Sequence, residues 1–174
     1  MQELRKKVQQ YARHDSPVLL SGETGTGRGA FARYMHALSD RADEPLVSVT
    51  AATITDSNFE EKLLGSEHGG EVVAGAFERA EGGTLVIDEL SDLSHDAQRL
   101  LLGVLEDGKF TRVGGEEPVS QRARIVATVC ADFEAKANAG SLRRDLVAHL
   151  GVLSLRVPPL RDYAEDVPEL LNYY

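Results

Sequence analysis

Pro17-Val18-Leu19-Leu20-Ser21-Gly22-Glu23-Thr24-Gly25-Thr26-Gly27-Arg28-Gly29 is the stretch whose reading decides the fold. A short apolar run, typical of a strand, enters a glycine-rich turn one step away from the phosphate loop G-x-x-x-x-G-K-[ST]. Glycines let successive backbone N–H groups turn inward around phosphate oxygens, and the helix that follows points its positive end at them. Phe31, Tyr34, Met35 and Leu38 recur at helical spacing, so the loop is expected to open a helix with those residues inward. Two positions depart from the motif: Arg28 stands for the lysine, and Gly29 for the hydroxyl residue that would meet Mg²⁺. A glycine-rich turn that holds no ligand is the alternative which the loop alone leaves open.

Outward from the loop, the composition sets limits. A chain of 174 residues suits one domain with a sizeable core. Its net charge of −9 argues against a broad DNA-gripping face, though not against one local cationic pocket. Cys130 is the only cysteine, which excludes an intrachain disulfide and a cysteine-based zinc site. With no apolar run long enough for a bilayer and no apolar signal-peptide core at its start, the chain is expected to be cytoplasmic.

Apolar runs with turn residues between them predict a parallel five-stranded sheet, with strands near 17–21, 46–50, 84–88, 124–129 and 152–156. Leu4, Val8, Tyr11 and Ala12 form a helical stripe ahead of the first strand. Asp56 is expected to cap a helix through Phe59, Leu63 and Leu64; Ser94 caps another, with Ala97, Leu101, Val104 and Leu105 inward and Gly108 as its stop. Gly65 to Ala74 reads as an irregular loop, Phe110 to Val119 as an exposed hairpin or loop, and Leu142 to Leu150 as a helix. Strands alternating with helices specify a three-layer α/β/α sandwich.

The strand Thr84-Leu85-Val86-Ile87 ends in Asp88-Glu89, at the carboxyl edge where such sheets bind ligands. An acidic residue there can hold Mg²⁺ through water, and its neighbour can polarise an attacking water. With the loop upstream, the pair is a Walker B candidate. The blocks GETGTGRG at Gly22, GGTLVIDEL at Gly82, FTRVGG at Phe110, LRRDL at Leu142 and VPPLRDYAEDVP at Val157 then carry a resemblance. From Leu4 onward the chain resembles the central AAA+ ATPase domain of bacterial enhancer-binding proteins, the sigma-54-dependent activators of nitrogen-regulator type.

That resemblance implies a P-loop AAA+ core over residues 1–164 and the start of a truncated helical lid over 165–174. It implies ATP or ADP with Mg²⁺: Gly22, Glu23, Thr24, Gly25, Thr26, Gly27, Arg28 and Gly29 around the nucleotide, Asp88 on the metal through water, and Asp88, Glu89 and Arg143 as the catalytic set. It also implies self-association into rings, RNA polymerase holoenzyme as a partner, DNA contact only through an adjoining domain, and no membrane.

The departures fall on working positions. Arg28 exchanges a compact ammonium for a planar fork, and Gly29 stands where the family commonly has Glu. Thr50 replaces an asparagine that restrains the Walker B glutamate, and Cys130 the asparagine that senses the γ-phosphate. His149 sits where the finger-type arginine belongs. Such a finger is worth ~10³–10⁵ in rate, or about 4–7 kcal/mol of barrier. The sigma-54-contacting GAFTGA motif is missing, since Gly75-Ala76-Phe77 belongs to the block that leads into Walker B. The resulting expectation is a nucleotide-binding regulatory and oligomerisation module of a transcription regulator, weak or inactive in hydrolysis and unable to engage sigma-54. An active ATPase of a sigma-54-dependent activator and an empty-pocket interaction scaffold are the alternatives; a small GTPase switch is disfavoured because N-K-x-D is absent.

Overall fold

Strand-forming runs that are apolar on both sides can only be buried between two layers of helices, and the computed structural model, which describes residues 2–166, has that arrangement. In chain order the elements are α1 (Gln2–Ala12), β1 (Val18–Gly22), α2 (Arg28–Ala37), β2 (Leu46–Thr50), α3 (Phe59–Leu64), β3 (Gly65–His68), β4 (Glu71–Ala74) and α4 (Ala76–Arg79). They continue as β5 (Thr84–Asp88), α5 (His95–Asp107), β6 (Lys109–Thr111), β7 (Pro118–Ser120), β8 (Arg124–Cys130), α6 (Phe133–Asn138), α7 (Arg144–Leu150) and β9 (Leu153–Val157). Five strands pair in the order β2-β5-β8-β1-β9, every neighbour parallel. Each expected strand is present to within one residue at either end. The helix expected over Glu165 to Tyr174 lies, from residue 167 on, outside the described residues.

Side chains alternate across a strand, so each central strand feeds two cores. Leu19, Leu85, Ile87, Ile125, Ala127 and Val129 face Leu63 of α3, Phe77 of α4, Leu101 of α5 and Leu146 of α7. Val18, Leu20, Val86 and Val126 point the other way, against Leu4 and Val8 of α1 and Ala32 and Met35 of α2. Burying one such aliphatic side chain stabilises the fold by about 1.5–3 kcal/mol, so the alternation commits the sheet to one register.

Three expectations need correction. The buried face of α2 is Arg28, Ala32, Met35 and His36, while Tyr34 and Leu38 are exposed. The small Ala32 lets the helix approach the sheet, and Arg28 and His36 are drawn in by hydrogen bonds that apolar periodicity does not register. Asn58, not Asp56, is the cap position of α3, because residues 55–58 close a turn in which the Asn58 Oδ1 accepts from the Thr55 N–H at 2.8 Å. Residues 65–74 are not irregular: β3 and β4 form an antiparallel hairpin. Its two-residue turn is Gly69-Gly70, both at positive φ (59° and 86°), the combination a tight hairpin of matching twist requires. The hairpin is tied down at its base, where Arg112 pairs with Glu67 at 3.1 Å and Glu78 at 2.6 Å and Val113 exchanges backbone bonds with Gly65 and Glu67. Phe110 to Val119 forms the expected hairpin, β6 against β7.

The amino end of the sheet is held by buried polar groups. Arg124, 2% exposed, donates to the carbonyls of Ala12 (3.0 Å) and Tyr11 (2.6 Å), the last turn of α1, where acceptors lack helical partners. His36, also buried, has Nδ1 2.9 Å from the Thr84 hydroxyl. Burial holds the His36 pKa below its ordinary value, with Arg124 adding to the effect and a bond to the Glu44 main chain opposing it. The unfolded chain therefore takes up the proton first as pH falls below about 6.5. Stability is expected to be level above that pH and to decline below it. In urea titrations the decline should be shallower for His36→Gln than for the parent chain.

Candidate functional site

The loop after β1 is shaped by its own backbone. Thr26 closes it, its N–H and hydroxyl both bonding to the Glu23 carbonyl at 3.2 and 2.8 Å. Gly22 admits no side chain, since a Cβ would meet the Val157 carbonyl at 2.6 Å and the Thr26 hydroxyl at 2.9 Å. Gly27 takes φ 83° at the cap of α2 and supplies no side-chain cap, so the first-turn N–H groups are left for another acceptor. Across the loop, Arg161 grips Glu23 through both carboxylate oxygens (2.8 and 2.5 Å), and this hydrogen bonding, with Arg156 adding its field, holds the Glu23 carboxyl below its usual range.

The loop and the end of β5 lie at the same carboxyl edge, with β8 between β1 and β5. One side chain spans that gap. Arg28 leaves the first turn of α2, only 6% exposed, and bonds to the Val129 carbonyl of β8 and to the Glu89 carboxylate. Glu89 is 25% exposed and sits at φ 58°, ψ 54°, a left-handed conformation that costs a non-glycine residue about 1–3 kcal/mol. Its N–H donates to the Thr128 hydroxyl at 2.9 Å, and that hydroxyl donates to Asp88 Oδ1 at 2.5 Å. The two strand-end carboxylates are thus engaged separately, Asp88 by a neutral hydroxyl and Glu89 by a guanidinium.

The remaining sequence-predicted residues disperse. Thr50 is in register with Asp88 across β2 and β5, but the cation on Glu89 comes from Arg28. Cys130 is level with Gly22 across β8 and β1 and half-buried, its Sγ 3.7 Å from the Ser91 hydroxyl and bonded to Asp132, whose carboxyl it holds below its ordinary pKa. Lys136 completes this cluster, donating to Ser91 at 3.2 Å. Arg143 is not brought to the loop: it chelates Asp145 at 3.1 and 2.6 Å, ahead of α7, beside a depression of about 550 Å³ that is also lined by His95, Asn138 and Arg144. His149 follows on the same helix. Sequence reasoning missed Thr128 and Arg161. An alternation argument could have placed Thr128 on the β8 face opposite Ala127, whereas no local signal joins Arg161 to Glu23.

The donor set for the divalent cation that the sequence resemblance implies at Asp88 is incomplete. Glu89 is already neutralised by a fixed guanidinium, Asp88 is hydrogen-bonded to Thr128, and Gly29 offers no hydroxyl. Among the described residues, no group of three or more His, Cys, Asp or Glu side chains is arranged to hold a metal.

Comparison with known proteins gives concordant results. The profile of the sigma-54 interaction domain matches residues 1–156. The DNA-binding transcriptional regulator NtrC of Rhizobium meliloti (strain 1021) is 40% identical over 179 aligned residues, covering 100% of this chain and 37% of that protein. NtrX from Brucella abortus, solved in complex with ATP, superposes with a TM-score of 0.93 at 38% identity, over 99% of this chain and 40% of that one. Its complex with ADP superposes with a TM-score of 0.92 at 37% identity, over 99% and 39%. This chain spans about two fifths of the length of the relatives it matches.

Proposed function

The chain belongs to the sigma-54 interaction domain family, the AAA+ domain of NtrC-type regulators, and on that premise we propose that it is a nucleotide-binding regulatory module with weak or absent ATP hydrolysis. The observation that carries this reading is the Arg28–Glu89 pair. In a hydrolysing site of this type the glutamate orients the attacking water and the loop cation holds the phosphates. Here the two groups bind each other.

Nucleotide binding itself is supported by the first turn of α2, which no side chain caps, and by the ATP and ADP complexes of NtrX. In this reading Gly22, Glu23, Thr24, Gly25, Thr26, Gly27, Arg28 and Gly29 surround the phosphates. Residues 1–164 act as the α/β unit, and residues from 165 begin the lid. Arg143, turned away from its own loop, acts on the site of a second copy, so self-association accompanies function. The cytoplasm is its compartment, and DNA contact comes from an adjoining domain. Calorimetric titration with ADP tests occupancy, and steady-state phosphate release tests turnover. Absence of ADP binding would support an empty scaffold instead.

The proposal extends to sigma-54. The β3–β4 hairpin turns after four residues, so it lacks both the GAFTGA sequence and the length of a projecting loop. No complex with sigma-54 is expected in a pull-down with an ATP transition-state analogue. A stable complex under those conditions would overturn that part of the reading.

A further inference from the structure

Arg28 carries a permanent charge, because a guanidinium keeps its proton at any ordinary pH. It lies between the loop and the strand end that bears Asp88 and Glu89, with 6% of its surface exposed. Its Nη1 and Nη2 groups reach the Val129 carbonyl and the Glu89 carboxylate, so its position is set by two strands as well as by its own helix. A divalent ion brought in with phosphates would meet this positive charge instead of a free carboxylate pair.

We infer that Arg28 is the built-in counter-cation of the site, so that nucleoside di- and triphosphates bind this chain without a divalent metal. The inference rests on the nucleotide-binding reading and specifies which form of nucleotide the site takes. The chemistry of the donor set carries it. A guanidinium presents paired N–H donors that match two phosphate oxygens, as they match two carboxylate oxygens in Glu89. Glu89 and Val129 engage three of the five guanidinium N–H donors, so a phosphate can share Arg28 while the Glu89 carboxylate stays paired with it. The neighbouring groups offer a metal little in exchange: Thr128 occupies Asp88 Oδ1, which leaves Oδ2 alone, and residue 29 has no side-chain oxygen. A lysine at position 28 would be different. Its ammonium is a compact point charge without the fork, and it could not hold Val129 and Glu89 together in the same way, which would leave the carboxylates open to a hydrated cation.

The test is calorimetric titration of the wild-type chain with ADP, once with magnesium chloride and once with EDTA. The two affinities are expected to agree within about threefold. Glu89→Gln removes the carboxylate that shares Arg28 and is expected to tighten ADP binding in EDTA by about tenfold. Arg28→Lys, with its fold checked by circular dichroism, is expected to prefer magnesium by about tenfold or more. ADP binding by the wild type only with magnesium would overturn the inference and leave the nucleotide reading standing. Binding in neither buffer would overturn both. If Arg28→Lys does not fold, Glu89→Gln decides: tighter binding in EDTA supports the inference, and unchanged or weaker binding overturns it.

Discussion

Phosphate release by this chain is expected to stay near background at every protein concentration, and no single repair should recover it. Three contributions are weakened together. Arg28 is bonded to Glu89, and on the proposed reading Cys130 takes the γ-phosphate-sensing position and His149 the finger position. Groups that act as a unit are strongly non-additive, so Arg28→Lys alone should change nucleotide binding more than turnover. The triple variant Arg28→Lys, Cys130→Asn, His149→Arg is expected to gain about 10³-fold or more, the scale of an arginine finger. That gain should rise with protein concentration, because a finger acts across an interface. Turnover by the unmodified chain that is robust and concentration-dependent would identify an active ATPase and reject the regulatory reading.

The second large effect is on stability. Arg28→Ala is expected to cost about 2–4 kcal/mol in denaturant titrations, because it strands the Glu89 carboxylate and removes the donor to the Val129 carbonyl. The value sits below that of a fully buried pair because a quarter of Glu89 remains in water. Arg28→Ala combined with Glu89→Ala should cost less than the two single changes summed, with a coupling of about 1–2 kcal/mol. A coupling near zero would mean that the pair does not form in solution. Arg143→Ala makes a useful contrast: its partner Asp145 lies two residues away on the surface, so its effect on stability should fall within about 0.5 kcal/mol.

The parallel sheet was legible in the sequence because its signals are local. Thr84-Leu85-Val86-Ile87 is apolar on both faces, which only a strand covered on both sides can satisfy. Ser94 and Gly108 mark the ends of α5 by their own chemistry: the serine oxygen accepts from the Ala97 N–H, and the glycine takes φ 64°. The Gly69-Gly70 hairpin was equally local. It was misread because glycines that break a helix also make the tightest turn between strands, and β3 and β4, with few buried residues, lack the apolar alternation that marks a strand.

By itself, then, the sequence determined the layering, the strand positions and the carboxyl edge at which the Gly22–Gly29 loop and Asp88-Glu89 meet, since each follows from residues within a few positions of one another. Only the tertiary structure decided what Arg28 does. Its partners Glu89 and Val129 lie 61 and 101 residues along the chain, and they come within reach because β8 packs between β1 and β5. The buried face of α2 was decided in the same way. Arg28 and His36 are polar and lie outside the apolar periodicity of the helix, but each finds a hydrogen-bonding partner inside, and a satisfied polar group can be buried where an unsatisfied one cannot.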